Sequence, residues 1–177
     1  ILDAMPSLPS HARIIIVGGG IVGCSLAYHL ARRGAQDVLL LERHQLTSGT
    51  TWHAAGLVGQ LRATLNLTRL AQYTSQLYQG LEAETGHATG FVQCGSLAVA
   101  ASAARMEELA RGASMASCFG LEVEVLSPAE CAARWPVMEA RDIAGGVFLP
   151  KDGYTSPGDT CRALAAGARQ HGARVVE

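Results

Sequence analysis

An α/β fold organised around a βαβ unit is predicted by three features of this sequence. A β-branched run over Arg13–Val17 leads into the glycine turn "GGGIVG". Apolar residues then recur at spacings of three and four, and a second apolar run, Val38–Leu41, ends on Glu42. With 177 residues and 49% hydrophobic content the chain can bury a sizeable core. Fourteen basic against fifteen acidic residues leave a net charge of -1 and no basic run, which argues against a nucleic-acid partner. The longest apolar runs fall far short of the roughly 20 residues that cross a bilayer, and the first dozen residues lack the apolar centre of a signal peptide. A soluble, unexported chain with no membrane partner is therefore expected. The five cysteines are scattered without a C-x-x-C pair, so they read as reduced thiols in core positions, with no zinc site.

Each element follows from local pattern. Residues 1–12, with their Pro and Ser, read as a flexible tail. Arg13–Val17 suits a strand buried on both faces. Ile21, Val22, Leu26, Ala27 and Leu30 form the expected buried stripe of a helix that closes on Arg32, Arg33 and Gly34. Leu67, Leu70, Ala71, Thr74, Leu77, Tyr78 and Leu81 predict a second helix, ended by Gly86 and tolerating Gly80 inside it. "GSLAVAAS" reads as a strand, and the stretch from Ser102 to Gly120 as a capped helix. Leu121, Val123 and Val125 alternate with glutamates, which predicts a strand with one wet face. In "SPAECAARWP", Ser127, Pro128 and Glu130 fit N-cap, first-turn and capping-box positions. "IAGGVFLP" is a further strand, "SPGDTCRALAAGARQHG" a helix, and "ARVVE" a last strand. Because the chain ends within that strand, the sheet is expected to be incomplete and the chain to be a fragment.

Gly18, Gly20 and Gly23 stand at G-x-G-x-x-G spacing between a strand and a helix. In that setting glycines permit a tight turn, close approach to a pyrophosphate and close helix–strand packing, while the helix start offers free N–H groups; Ile21 and Val22 lie inside the motif. Glu42 follows Gly23 by 19 residues and can accept from both ribose hydroxyls of an adenosine, and its charge disfavours a 2′-phosphate. An ADP-containing dinucleotide is implied, and the fingerprint alone does not separate FAD from NAD.

"LTSGTTWHAAG", Leu46 to Gly56, begins four residues after Glu42, at the carboxyl edge of the sheet where a dinucleotide lies. Thr47, Ser48, Thr50 and Thr51 offer hydroxyls and backbone donors, while Gly49, Ala54, Ala55 and Gly56 leave the path open. Such a cradle would fit the middle of a flavin. From the residues alone, His53 is a hydrogen-bonded loop histidine.

"LTSGTTWHAAGLV", the fingerprint, and "FLPKDGYTSPGDTCRALAAGARQHGARVVE" together resemble the amino-terminal part of the sarcosine dehydrogenase and dimethylglycine dehydrogenase family, from about Arg13 onward. The resemblance implies a D-amino-acid-oxidase-like fold: an FAD-binding Rossmann-like sheet over 13–86 and 153–177, and part of an inserted α+β substrate domain over 87–152. It implies covalent attachment of FAD through His53 to the flavin 8α-methyl carbon, a bond that suits an imidazole neutral near pH 7. Trp52 and Leu57 then flank the flavin, or Trp52 fills the core, and Arg43 lies at the adenosine end or is a solvated strand-end cation. Lys151 and Tyr154 read as structural loop residues.

The implied reaction is oxidation of an N-methylated glycine, sarcosine or dimethylglycine. A hydride passes from the N-methyl carbon to the flavin, and water or tetrahydrofolate intercepts the iminium. The electron acceptor is an electron-transfer flavoprotein or oxygen, and the setting is mitochondrial matrix or bacterial cytoplasm. Catalytic residues are not named by the sequence. The alternatives are a non-catalytic relative resembling the pyruvate dehydrogenase phosphatase regulatory subunit, another FAD-dependent amino-acid oxidase, and an NAD-dependent enzyme with an incidental T-W-H loop.

Overall fold

The structure is a computed structural model that describes residues 8–177; the first seven residues of the expected tail lie outside it. In chain order the strands and helices are β1 (Ile14–Val17), α1 (Ile21–Arg32), β2 (Val38–Leu41), β3 (Leu57–Val58), α2 (Leu65–Thr85), β4 (Ser96–Ala100), α3 (Ala103–Cys118), β5 (Glu124–Leu126), α4 (Pro128–Arg134), β6 (Gly145–Leu149), β7 (Gly153–Tyr154), α5 (Pro157–Gln170) and β8 (Arg174–Val176). A 3-10 turn spans Thr51–His53. The chain divides into two compact units. The first holds residues up to Leu57, Leu77–Phe91 and Thr155–Glu177, and the second holds Val58–Gln76 and Val92–Tyr154. No helix among the described residues is long and apolar enough to cross a membrane.

The first unit is the predicted βαβ unit extended by one strand. Its parallel sheet runs β1-β2-β8, with Ile14 opposite Val38 and Leu39 opposite Arg174. α1 and α5 cover one face. The core between them is built from Cys24, Ala27, Tyr28 and Ala31 of α1 and Cys161, Leu164, Ala165 and Ala168 of α5, against Ile16, Val38 and Leu40. Small residues at the contact let two helix backbones approach closely, and the largest side chain, Tyr28, fills the space that Gly167 leaves. Its hydroxyl donates to the carboxylate of Glu84, at 2.9 and 2.8 Å from the two oxygens, so a fully buried phenol keeps its polar end satisfied. α1, α3 and α5 close alike. Gly34, Gly120 and Gly172 take positive φ, and the N–H of the next residue (Ala35, Leu121, Ala173) donates to the carbonyl five residues before it (Leu30, Ala116, Ala168).

The second unit carries an antiparallel sheet ordered β4-β6-β5. Leu126, Cys131 and Phe148 form its small core with Leu97, Trp135, Met138 and Ile143, and the Arg134 guanidinium lies 4.2 Å over the Phe148 ring. The capping box of α4 is present on both sides, Ser127 with Glu130. Asp152 is buried, its oxygens accepting from the Gln60 N–H at 2.8 Å and the Ser96 hydroxyl at 2.6 Å, and Lys151 pairs with Glu122 at 2.7 Å.

Five expectations need correction. The buried line of α1 is Cys24, Ala27, Tyr28 and Ala31, whereas Val22 and Leu26 are exposed. Hydropathy selects the wide side chains, but close packing on α5 selects the small ones. In α2 the buried positions are Thr68, Ser75, Leu81 and Thr85, and Leu67 and Leu70 are exposed. β1 is covered on one face only: Ile15 and Val17 stand in the open while Ile16 is buried, because α1 packs on the Ile16 side. The strand expected from Leu121 starts at Glu124, since the Leu121 N–H is committed to closing α3; Leu126 turns inward and Val125 outward. Cys94 and Cys118 are also exposed, leaving Cys24, Cys131 and Cys161 as core thiols.

A Cβ on Gly167 would lie 2.8 Å from two ring atoms of the sealed Tyr28, while one on Gly80 meets nothing within 4 Å. In the full-length protein Gly167→Ala is expected to cost about 1–3 kcal/mol, and Gly80→Ala to gain about 0.5–1 kcal/mol. Urea unfolding measures both, and equal effects would contradict this packing.

Candidate dinucleotide site

The turn between β1 and α1 is shaped by what its glycines exclude. Gly18 sits at φ +109° with nothing within 4 Å of a hypothetical Cβ, so its outer side is open. A Cβ on Gly23 would fall 1.9 Å from the Gly18 carbonyl oxygen, which makes glycine obligatory where α1 leaves the turn. Gly19, which the G-x-G-x-x-G pattern leaves unspecified, is just as constrained: a Cβ there would lie 2.6 Å from Leu46 and 2.9 Å from Glu42.

The Gly19 peptide is tied on both sides. Its N–H donates to Glu42 Oε2 at 2.7 Å, and its carbonyl accepts from the Thr47 N–H at 3.0 Å and from the thiols of Cys24 and Cys161, each at 3.6 Å. Glu42 Oε1 also accepts from the His44 N–H at 3.0 Å. The Gly19 N–H first, then that of His44, holds the Glu42 carboxyl below the ordinary carboxylate value. Glu42 therefore braces the turn as well as presenting charge beside it, and a carboxylate has further lone pairs to offer a hydroxyl. Thr47 reaches its bond through φ +75°, a left-handed conformation uncommon for a β-branched residue.

The loop after β2 is bound to the same turn. Thr51 is buried, its hydroxyl accepts from the Ile21 N–H at 3.0 Å, and a Cβ on Gly20 would lie 3.1 Å from that oxygen. One helix-start donor expected to be free is thus taken by the chain itself. Thr50, Gly49 and Arg43 are exposed. Trp52 is 62% exposed, so the expectation that it fills the core does not hold; its ring lies 3.9 Å from that of His53, tilted by 59°. His53 is exposed at the end of the 3-10 turn, and its imidazole makes no hydrogen bond among the described residues, unlike the hydrogen-bonded loop histidine expected from the residues alone. Ala54, Ala55 and Leu57 are exposed as well. Gly56, at φ +79°, packs against the chain: a Cβ would meet the Thr155 carbonyl oxygen at 2.1 Å, and the Gly56 carbonyl accepts from the Thr155 N–H at 2.8 Å.

A cavity of about 550 Å³ opens on the outer side of the turn, lined by Gly18, Gly20, Ile21, Val22, Gly23, Thr50, Thr51 and the uncovered face of β1. An open glycine turn, a helix start and an ionised carboxylate beside it fit the pyrophosphate and ribose of an FAD. Gly18, Gly20 and Gly23 were marked by their spacing; Gly19 was not, although a third consecutive glycine is itself a signal of close approach.

Residues 13–177 match the profile of the family described as FAD dependent oxidoreductase. The chain belongs to that family. It is similar to human mitochondrial sarcosine dehydrogenase, 43% identical over 96% of the chain and 19% of that protein, and to 4-methylaminobutanoate oxidase (formaldehyde-forming) of Paenarthrobacter nicotinovorans, 43% identical over 96% of the chain and 21% of that protein. Mitochondrial dimethylglycine dehydrogenase and the mitochondrial pyruvate dehydrogenase phosphatase regulatory subunit, both of Mus musculus, are 39% and 36% identical over 95% and 97% of the chain, and 19% and 20% of their own lengths. The chain thus spans about a fifth of these relatives. Among solved structures, L-proline dehydrogenase from P. horikoshii superposes with a TM-score of 0.89 at 26% identity, over 96% of this chain and 45% of that one. The family's FAD-dependent, mixed α/β architecture is the one the sequence predicted.

Glu42 supplies a test of the brace. Its folded value is lowered from 4.5, so its contribution is complete above that pH and fades as pH falls through the depressed value. Glu42→Gln is expected to lower stability at neutral pH by about 1 kcal/mol. The gap from the unsubstituted protein should close on acidification below 4.5. Denaturant titrations across that range measure it, and a gap constant with pH would contradict the assignment.

Proposed function

We propose that this chain forms the dinucleotide-binding part of a flavoenzyme that oxidises an N-methylated amino acid, sarcosine first and dimethylglycine second, with FAD attached covalently through His53. The observation that carries the reading is the placement of His53. Thr51 anchors the 3-10 turn to the first N–H of α1, and two residues later an exposed imidazole with no hydrogen bond among the described residues rests against Trp52. A nucleophile for attachment has to be accessible, with its nitrogens free of hydrogen bonds, and among the described residues this imidazole meets both conditions. The identity to sarcosine and dimethylglycine dehydrogenases and to an oxidase of a methylamino acid supports the substrate class.

When bound, FAD supplies the two-electron acceptor chemistry. The chain's own residues do the holding: Gly18, Gly20 and the start of α1 face the pyrophosphate, Glu42 the adenosine ribose, and Thr50, Trp52 and His53 the flavin side. An electron-transfer flavoprotein as electron acceptor, tetrahydrofolate as one-carbon acceptor, and a mitochondrial or bacterial setting belong to the same proposal and rest on the family resemblance.

Acid precipitation of the full-length protein tests the attachment. The pellet is expected to stay yellow, and His53→Ala is expected to bind FAD but release it into the supernatant. Flavin wholly in the wild-type supernatant would refute the covalent link, and colourless protein would refute the FAD reading. Anaerobic bleaching of the flavin by sarcosine, dimethylglycine or 4-methylaminobutanoate then ranks the substrates.

A further inference from the structure

Two cysteines meet beneath the dinucleotide turn. Cys24 lies in the second turn of α1 and Cys161 near the start of α5, 137 residues apart, and both are fully buried. Their sulfurs converge on one atom, the Gly19 carbonyl oxygen, at 3.6 Å each. The two thiols shift each other: Cys161, ahead of burial, pushes the Cys24 thiol up, while Cys24 draws Cys161 down against the effect of burial, and Arg162 lowers it further. Core filling explains a small apolar side chain at each site, but alanine, abundant on both helices, would serve that purpose. It does not explain two sulfurs on facing helices turned to the same carbonyl oxygen.

We propose that Cys24 and Cys161 are a redox pair that closes into a disulfide under oxidation by a peroxide, tying α1 to α5 below the dinucleotide turn. The Cys161 sulfur, giving up its proton, attacks one oxygen of hydrogen peroxide; the O–O bond breaks, the departing oxygen leaves as water with that proton, and a sulfenic acid forms. The Cys24 sulfur then attacks the Cys161 sulfur, giving up its proton, and the S–OH oxygen departs as water. Two thiols and one peroxide yield one disulfide and two waters, with two electrons passing from sulfur to oxygen. The bond removes both S–H donors from the Gly19 carbonyl, which keeps the Thr47 N–H. Oxidation thereby alters the underside of the turn, whatever dinucleotide lies above it. Exposed Cys94 and Cys118 serve as internal references.

The test exposes the reduced, full-length protein to hydrogen peroxide. Residual thiols are then alkylated under denaturing conditions, and tryptic peptides are identified by mass. The expected product is peptide Ile14–Arg32 joined to Asp152–Arg162, lighter than the pair by two hydrogens and separated by a reductant. Cys24→Ser and Cys161→Ser should each abolish it, and Cys118→Ser should leave it intact. Recovery of both peptides alkylated, under peroxide that has already oxidised Cys94 and Cys118, would overturn the proposal. So would Cys161 recovered as a sulfinic acid beside an alkylated Cys24.

Discussion

The peptide group of Gly19 is the tie on which the dinucleotide site depends. Its N–H is held by Glu42 at the end of β2, and its carbonyl by Thr47 of the following loop and by thiols from α1 and α5. One residue without a side chain thus links a strand end, a loop and two helices. The linkage works because nothing larger than hydrogen fits: the space a Cβ would need is taken by Leu46 and Glu42. With Gly19 turned inward, Gly18 and Gly20 are left to face outward, which is the arrangement a pyrophosphate requires of a helix-start turn. The positive φ of Thr47 is a local cost of that arrangement, of order 1–3 kcal/mol, set against the bond its N–H gives the Gly19 carbonyl.

The turn and the loop after β2 form a continuous device. Glu42 grips Gly19, Thr51 grips Ile21, and Gly56 closes against Thr155. Between these three anchor points the chain exposes Gly49, Thr50, Trp52, His53, Ala54 and Ala55. The small residues of this stretch therefore divide into two kinds. Some are small because protein backbone lies against them, as at Gly56, and others, such as Gly49, stand in open space.

What the sequence made legible was local. The glycine spacing, Glu42 at a fixed distance, the capping box at Ser127 and the helix-ending glycines all act over a few residues or at a set offset, and each produced its element in the structure. What stayed hidden was contact between distant segments. Cys161 meets Gly19 across 142 positions, and no pattern near either residue announces it. The side-chain stripes of α1 and α2 misled for a related reason. Where α1 packs on α5 at short range, Ala and Cys are favoured over Leu and Val, so of its predicted stripe Ala27 is buried while Val22 and Leu26 are not; in α2 Leu81 is buried as expected, but Thr68 and Ser75 are buried where Leu67 and Leu70 were expected. Of the two readings of Trp52, filling the core fails and flanking a flavin stays open, because in a loop anchored at both ends its ring stands exposed beside His53.

The most direct measurement of the central claim compares flavin content after purification of two full-length variants that add the same methyl group. Gly49→Ala places it in open space, and Gly19→Ala places it against Leu46 and Glu42. If the Gly19 peptide shapes the site, Gly49→Ala retains the wild-type ratio of FAD to protein, while Gly19→Ala, checked for folding by circular dichroism, loses most of it. A folded Gly19→Ala protein carrying a full complement of FAD would contradict the account.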